Sequence, residues 1–227
     1  MPERRRIDAI DTSDGTRAGG AWWLLRFAAP YDMLQRAISD PRREEEFRRR
    51  FLAVPDGASV LDIGCGTGRW RDVFGDVRYY GIEPSREYLE QARAAHGARG
   101  TFIEARAGDL PSLDLPRFDL VLCAGLLHHL DDREMGVLLS AAARVMAPGG
   151  RLVAVETCCD SSLPLVARLA GRLDRGRFVR ASAEYRSVAL RSFRTVDAHV
   201  SSGRTRIPFP LVTLECRDPL VGAEVRG

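Results

Sequence analysis

The chain has no lysine; all 34 of its basic residues are arginine. A lysine general base is therefore excluded from any mechanism. An excess of one charge is also missing, because 31 acids set against 34 bases leave only +3. That is too little for a general nucleic-acid binder, whose affinity rests on neutralising many phosphates. Cysteine is sparse and unpaired: Cys65, Cys123, Cys158, Cys159 and Cys216 are odd in number and lack a Cys-x-x-Cys spacing. They are expected to be reduced. With His96, His128, His129 and His199 they make no zinc pattern, so no metal is expected. No apolar run approaches the roughly 20 residues that span a bilayer, and the patch from Trp22 to Leu25 is cut by Arg26. The basic start, Arg4 to Arg6, leads into acids instead of an apolar core. Neither a membrane anchor nor a secretory signal is expected, and the default compartment is the cytoplasm.

What is present is an ordinary globular balance, 45% hydrophobic and 29% charged over 227 residues, enough to bury roughly 70% of the unfolded surface in one domain. Residues 1–20 are polar and aperiodic and read as a frayed arm. Residues 21–54 read as an N-terminal helical lid. In it Trp22, Leu25, Phe27, Tyr31, Leu34 and Ile38 recur at helical spacing around a break at Pro30. Asp40 and Pro41 supply a cap and a first-turn proline, and Glu44 to Glu46 stand four residues before Arg48 to Arg50. This predicts a solvated helix face stitched by weak ion pairs.

From residue 55 short apolar runs alternate with amphipathic stretches, the pattern of a parallel sheet with crossover helices. Strands are predicted at 59–63, 78–83, 101–104, 118–123 and 151–156, and helices at 67–74, 85–96 and 133–146, the last ended by Ala147-Pro-Gly-Gly150. Leu163 to Leu173 and Ala183 to Arg191 read as a helical cap at about 160–190, inserted after strand five. Period-two alternation in Phe193 to Val200, then Pro210 to Cys216, predicts an antiparallel pair at one sheet edge. The fold class is doubly wound α/β.

The most informative stretch is Val60-Leu-Asp-Ile-Gly-Cys-Gly-Thr-Gly68, an apolar strand that delivers an acid and three glycines into a turn. Glycines there permit positive φ and keep side chains off a ligand lying on the backbone. A dinucleotide fingerprint needs G-x-G-x-x-G, whereas here Arg69 takes the place of the last glycine. Asp62 at the mouth of the turn would repel a pyrophosphate, and it suits a ligand that carries an ammonium and a sulfonium. S-adenosylmethionine has that charge pattern. Glu83, in Gly81-Ile-Glu-Pro-Ser85, stands where a carboxylate accepts both hydroxyls of a ribose. Asp109, in Gly108-Asp-Leu-Pro111, falls where it can reach an adenine amino group.

With these pieces in order, together with Phe118-Asp-Leu-Val-Leu-Cys-Ala-Gly-Leu-Leu-His-His-Leu130 and Ala147-Pro-Gly-Gly150, the chain resembles a class I S-adenosylmethionine-dependent methyltransferase from about Ala58 to Cys216. The resemblance implies a mostly parallel seven-stranded sheet with its last strand antiparallel. It also implies cofactor contacts from Asp62, Gly64, Cys65, Gly66, Gly68, Glu83, Pro84, Asp109, Leu110 and the backbone carbonyl of Cys123. Outside its span, Tyr31 in the N-terminal segment is a further candidate to touch the cofactor. Core or homodimer packing is the alternative account of that segment's tryptophans.

His128 and His129, just past strand four, are the candidate general bases, since imidazole titrates near neutrality. His128 is preferred; the alternative is that one of the pair only braces the loop. An Asn/Asp-Pro-Pro-aromatic turn, common in methylators of nucleic acids and proteins, is replaced by Cys123-Ala-Gly125, which favours a small-molecule acceptor. Arg168 and Arg172 read better as a solvated helix face. Arg177, Arg180 and Tyr185 are the candidates for clamping an anionic or oxygen-rich substrate. The expected activity is O-methylation of a specialised metabolite. Two other readings are a cofactor-bearing scaffold that catalyses a cyclisation or rearrangement, and methylation of a lipid or quinone with Trp22 to Ile38 lying on a membrane surface.

Overall fold

A computed structural model describes residues 40–171, 176–202 and 208–220. Tyr31, the tryptophans of the expected lid and Arg172 lie outside the described residues. No described helix is long and apolar enough to cross a membrane.

The first described element is α1, Pro41–Phe47, which widens into a π-helical turn at Arg48–Leu52. Asp40 caps it by accepting from the backbone N–H of Arg42, and Pro41 stands in the first turn. The ion pairs differ from those expected. Glu45 meets Arg48 at 2.7 Å, three residues on, and Glu44 reaches across to Arg69 at 4.0 Å. The opposite face carries the packing, with Phe47, Phe51 and Leu52 buried against Trp70 and the sheet.

Seven strands follow: β1 (Ser59–Ile63), β2 (Arg78–Glu83), β3 (Thr101–Glu104), β4 (Phe118–Ala124), β5 (Met146–Thr157), β6 (Phe193–Ser201) and β7 (Leu211–Pro219). They form one sheet in the order β3-β2-β1-β4-β5-β7-β6. The first five pair in parallel, and β7 runs antiparallel to both β5 and β6. Every residue of β1 is buried, as a central strand covered on both faces requires. The wrapping helices are α2 (Arg86–His96), α3 (Asp132–Val145), α4 (Leu165–Gly171) and α5 (Ser182–Ala189). Two apolar clusters fill the layers on either side of the sheet.

Three expectations need correction. The helix expected over 67–74 is a 3-10 turn at Arg69–Val73. Gly68 enters it with φ +77°, and Arg71 then turns back to donate to the carbonyls of Phe74 and Gly75, so the backbone cannot continue as an α-helix. Second, β5 starts at Met146 rather than 151. Ala147-Pro-Gly-Gly150 lies inside the strand as a register shift opposite Phe118 to Leu120. Third, α5 is no cap. Tyr185, Val188 and Ala189 sit in the main core.

Candidate active site

In the sheet order the chain reverses direction between β1 and β4, and loops leaving the carboxyl ends of β1, β2 and β4 meet at that crevice. Gly64, Gly66 and Gly68 all take positive φ (74°, 54° and 77°), so the loop after β1 runs as bare backbone across the crevice. Space around it is set by a neighbour. A Cβ at Gly81 would stand 2.7 Å from the Cys65 sulfur and 3.0 Å from the Phe102 ring, so glycine in β2 is what lets Cys65 tuck beneath the loop. Burial pushes the Cys65 thiol well above its ordinary range; it is a packing group there.

Asp62 and Glu83 stand near the carboxyl ends of adjacent strands, beside this crevice. Asp62 is fully buried and accepts from the Tyr79 hydroxyl at 2.5 Å through Oδ2, while Oδ1 has no hydrogen-bond partner. Burial, and secondarily the charge of Glu83, raise its pKa to about 7 against the pull of Tyr79 and Arg69. A buried carboxylate with an orphaned oxygen is costly and fits a cationic ligand group placed beside it. Glu83 is raised by burial too, an effect offset by the N–H groups of Ser85 and Gly66, which donate to its two oxygens at 2.9 and 3.1 Å. The acid expected at the ribose thus ties the glycine loop to the end of β2, with Pro84 next to it. Asp109 is exposed in the 3-10 turn Ala107–Ser112, where Oδ2 accepts from the Arg106 N–H at 2.9 Å. The side chain of Leu110 is fully buried in the core beneath that turn, which leaves its backbone for a ligand contact. Cys123 is likewise fully buried, its thiol pushed well up by burial, so only its backbone is available to a ligand.

The histidines follow β4 in a single 3-10 turn, Leu127–His129. His128 is buried and His129 exposed, with ring centroids 4.2 Å apart. His128 Nδ1 lies 2.6 Å from Oε2 of Glu156, a fully buried acid at the end of β5. Glu156 also accepts from the backbone N–H groups of Leu126 (3.1 Å), Leu127 (3.0 Å) and His128 (3.4 Å). A carboxylate with this surplus of donors takes the Nδ1 proton as acceptor, so Nε2 becomes the basic nitrogen. Sequence reasoning missed Glu156. The available signal was a lone acid in the apolar strand Leu152-Val-Ala-Val-Glu156, which must find buried partners.

Arg180 and Tyr185 were expected at the substrate, and the structure corrects both. Arg180 is buried and donates to the carbonyls of Leu127, Phe178 and Leu130 at 3.3, 2.8 and 2.8 Å, with a 2.7 Å ion pair to Asp132. Tyr185 is fully buried, its hydroxyl donating to the Thr157 carbonyl at 3.0 Å. Both are scaffold for the histidine turn, which is gripped by Glu156 through its N–H groups and by Arg180 through its carbonyls. The Phe178 N–H adds a 2.8 Å bond to the His128 carbonyl. Arg177 is exposed above Phe178. Among the described residues no cluster of His, Cys, Asp and Glu could hold a metal ion.

Residues 60–150 match the family described as a methyltransferase domain. The chain is 34% identical over 121 residues to the O-methyltransferase resE of Aspergillus sclerotiorum, covering 50% of this chain and 45% of that one. It is 32% identical over 135 residues to the O-methyltransferase rstn1 of Aspergillus nomiae, covering 56% and 58%. The chain therefore spans about half the length of these curated relatives. In fold it is similar to the N-methyltransferase NodS of Bradyrhizobium japonicum solved with S-adenosyl-l-homocysteine, with a TM-score of 0.59 and 18% identity over 78% of this chain and 88% of that one.

Proposed function

We propose, from the premise that residues 60–150 are a class I S-adenosylmethionine-dependent methyltransferase domain, that the chain transfers a methyl group to a hydroxyl of a small specialised metabolite. The observation that carries this reading is the buried His128–Glu156 pair on the turn after β4, beside a glycine loop whose neighbouring acid has an orphaned oxygen. The residues fit the cofactor. Asp62 would hold its ammonium, Glu83 its ribose, and the bare backbone from Gly64 to Gly68 would lie along it. When bound, S-adenosylmethionine supplies an already activated methyl group, so the remaining demands on the protein are alignment and removal of a proton.

That proton is the task of His128. Glu156 fixes the ring with Nδ1 protonated and Nε2 basic, and Nε2 accepts the hydroxyl proton of the acceptor. The resulting imidazolium stays opposite the Glu156 carboxylate, which stabilises the charge formed in the step. Arg180 and Tyr185 act as positioning residues behind it. His129, tilted against His128, lies on the exposed side, and Arg177 with Phe178 forms the part of the wall that meets an oxygen-rich acceptor. Support for a hydroxyl acceptor comes from the names of the two fungal relatives and of the 27-O-demethylrifamycin SV methyltransferase of Amycolatopsis mediterranei.

The test is incubation with methyl-labelled S-adenosylmethionine and panels of phenolic and polyketide hydroxyl compounds. Labelled ether product with S-adenosylhomocysteine in equal amount is expected. Cofactor binding without turnover across such panels counts against the reading.

A further inference from the structure

Tyr79 has no part in the activity described so far, yet among the described residues it donates a hydrogen bond to the Asp62 side chain. The two residues share a sheet face: Tyr79 lies opposite Val60 in the β1–β2 register and Asp62 opposite Gly81. With no side chain at Gly81, the Tyr79 hydroxyl reaches Oδ2 of Asp62 at 2.5 Å. Both side chains are buried, and Oδ1 is left orphaned. The tyrosine ring is itself held, tilted against Phe74 and Phe102 and with the Arg71 guanidinium 5.9 Å from its centroid.

We propose that Tyr79 is a positioning residue for the cofactor's amino-acid end: by occupying Oδ2 of Asp62 it turns Oδ1 toward the crevice to receive the ammonium, and it couples that binding to release of a proton from Asp62. The inference rests on the cofactor reading above and deepens it.

The electrostatic surroundings support the coupling. Around Asp62 stand Tyr79 and Glu83 from β2, Arg69 from the 3-10 turn, and the thiols of Cys65 and Cys123. Burial holds both thiols and the tyrosine in their protonated forms well above neutrality, so Tyr79 donates throughout the working range. Arg69 is the cation opposing the raised pKa of Asp62, and Glu83 adds to it. Without ligand, Asp62 holds its proton up to about pH 7. An arriving ammonium favours the carboxylate and expels that proton.

Two probes separate the ammonium from the rest of the ligand: S-adenosylhomocysteine, which carries it, and 5′-methylthioadenosine, which does not. Calorimetry of the full chain between pH 5.5 and 8.5, in buffers of differing ionisation enthalpy, is expected to show S-adenosylhomocysteine affinity rising by up to about tenfold per pH unit below neutrality and then levelling. Proton release should accompany its binding at pH 6, and 5′-methylthioadenosine should show neither effect. In Tyr79→Phe the loss of S-adenosylhomocysteine affinity is expected to be about tenfold larger at pH 6 than at pH 8.5, with 5′-methylthioadenosine unchanged within about twofold. Equal loss of both ligands in the variant, or pH-independent S-adenosylhomocysteine binding without proton release by the natural chain, overturns the inference while leaving the cofactor reading intact. Failure of the natural chain to bind S-adenosylhomocysteine overturns both. The natural-chain measurements decide the matter even where the variant does not fold.

Discussion

Asp62 and Glu156 are both fully buried acids near the carboxyl ends of parallel strands, and their surroundings are opposite. Glu156 receives three backbone N–H groups and the His128 imidazole. Asp62 receives one hydroxyl and keeps an oxygen with nothing to bond. A buried carboxylate that the chain itself satisfies is part of the framework. One left half satisfied is free energy withheld from folding and available to a ligand of opposite charge. Two strands apart in one sheet, the same chemical group thus serves as anchor in one strand and, on the proposed reading, as receptor in another.

Breaking the anchor should have the largest effect. Glu156→Ala strands three backbone N–H groups, two of them buried, and a histidine, so a loss of several kcal/mol in stability is expected by denaturant unfolding. Glu156→Gln turns an amide toward groups that need an acceptor, and turnover should fall by about 10²-fold or more in steady-state assays. His128→Ala should match that fall while S-adenosylhomocysteine affinity stays within a few fold, which separates proton removal from cofactor binding.

Breaking the receptor should move stability the other way. The folded-state pKa of Asp62 is about 7, against 3.8 for the free group. The folded chain therefore holds a proton that the unfolded chain releases across that window. Stability from this group is greatest at low pH and is lost as pH rises through about 4 to 7, at about 1.4 kcal/mol per unit and about 4 kcal/mol at most. Asp62→Asn should consequently raise the melting temperature of the ligand-free protein at pH 8, flatten its dependence on pH, and abolish tight S-adenosylhomocysteine binding.

The positioning layer comes next. Arg180→Gln removes a buried cation that joins the carbonyls of Leu127, Leu130 and Phe178; about 2 to 4 kcal/mol of stability should go with it, and kcat should fall more than cofactor affinity. The smallest effect should come from exposed Arg177. Arg177→Ala is expected to leave stability within about 0.5 kcal/mol and to raise KM for an oxygen-rich acceptor, read from saturation curves.

The glycine loop and the acids beside it were legible in the sequence as local structure, and the anchor half of the comparison was not. Val60 to Gly68 and Glu83 are local patterns in which the turn, the acid and the backbone geometry come from neighbouring residues. The strands announced themselves the same way, by composition. Glu156 acquires its meaning from a turn about 30 residues earlier in the chain, and Arg180 from carbonyls about 50 residues back. Those pairings depend on β4 and β5 lying side by side, so an arginine bound for a framework is indistinguishable in sequence from one bound for a substrate. The 3-10 turn at Arg69–Val73 was hidden for a related reason. Its periodicity is helical, and the buried Arg71 that stops it acts through backbone oxygens that periodicity cannot register.

Arg180 also sets a rule for anyone who would refit the proposed site to a different acceptor. The stretch that ends at Arg180 invites exchange, because Arg177 within it is exposed. Yet its last residues hold the turn that carries the proposed base, and a graft that discards them would gain a different doorway at the expense of the hinge-pin behind it. Exchanges that end before Phe178 keep that pin.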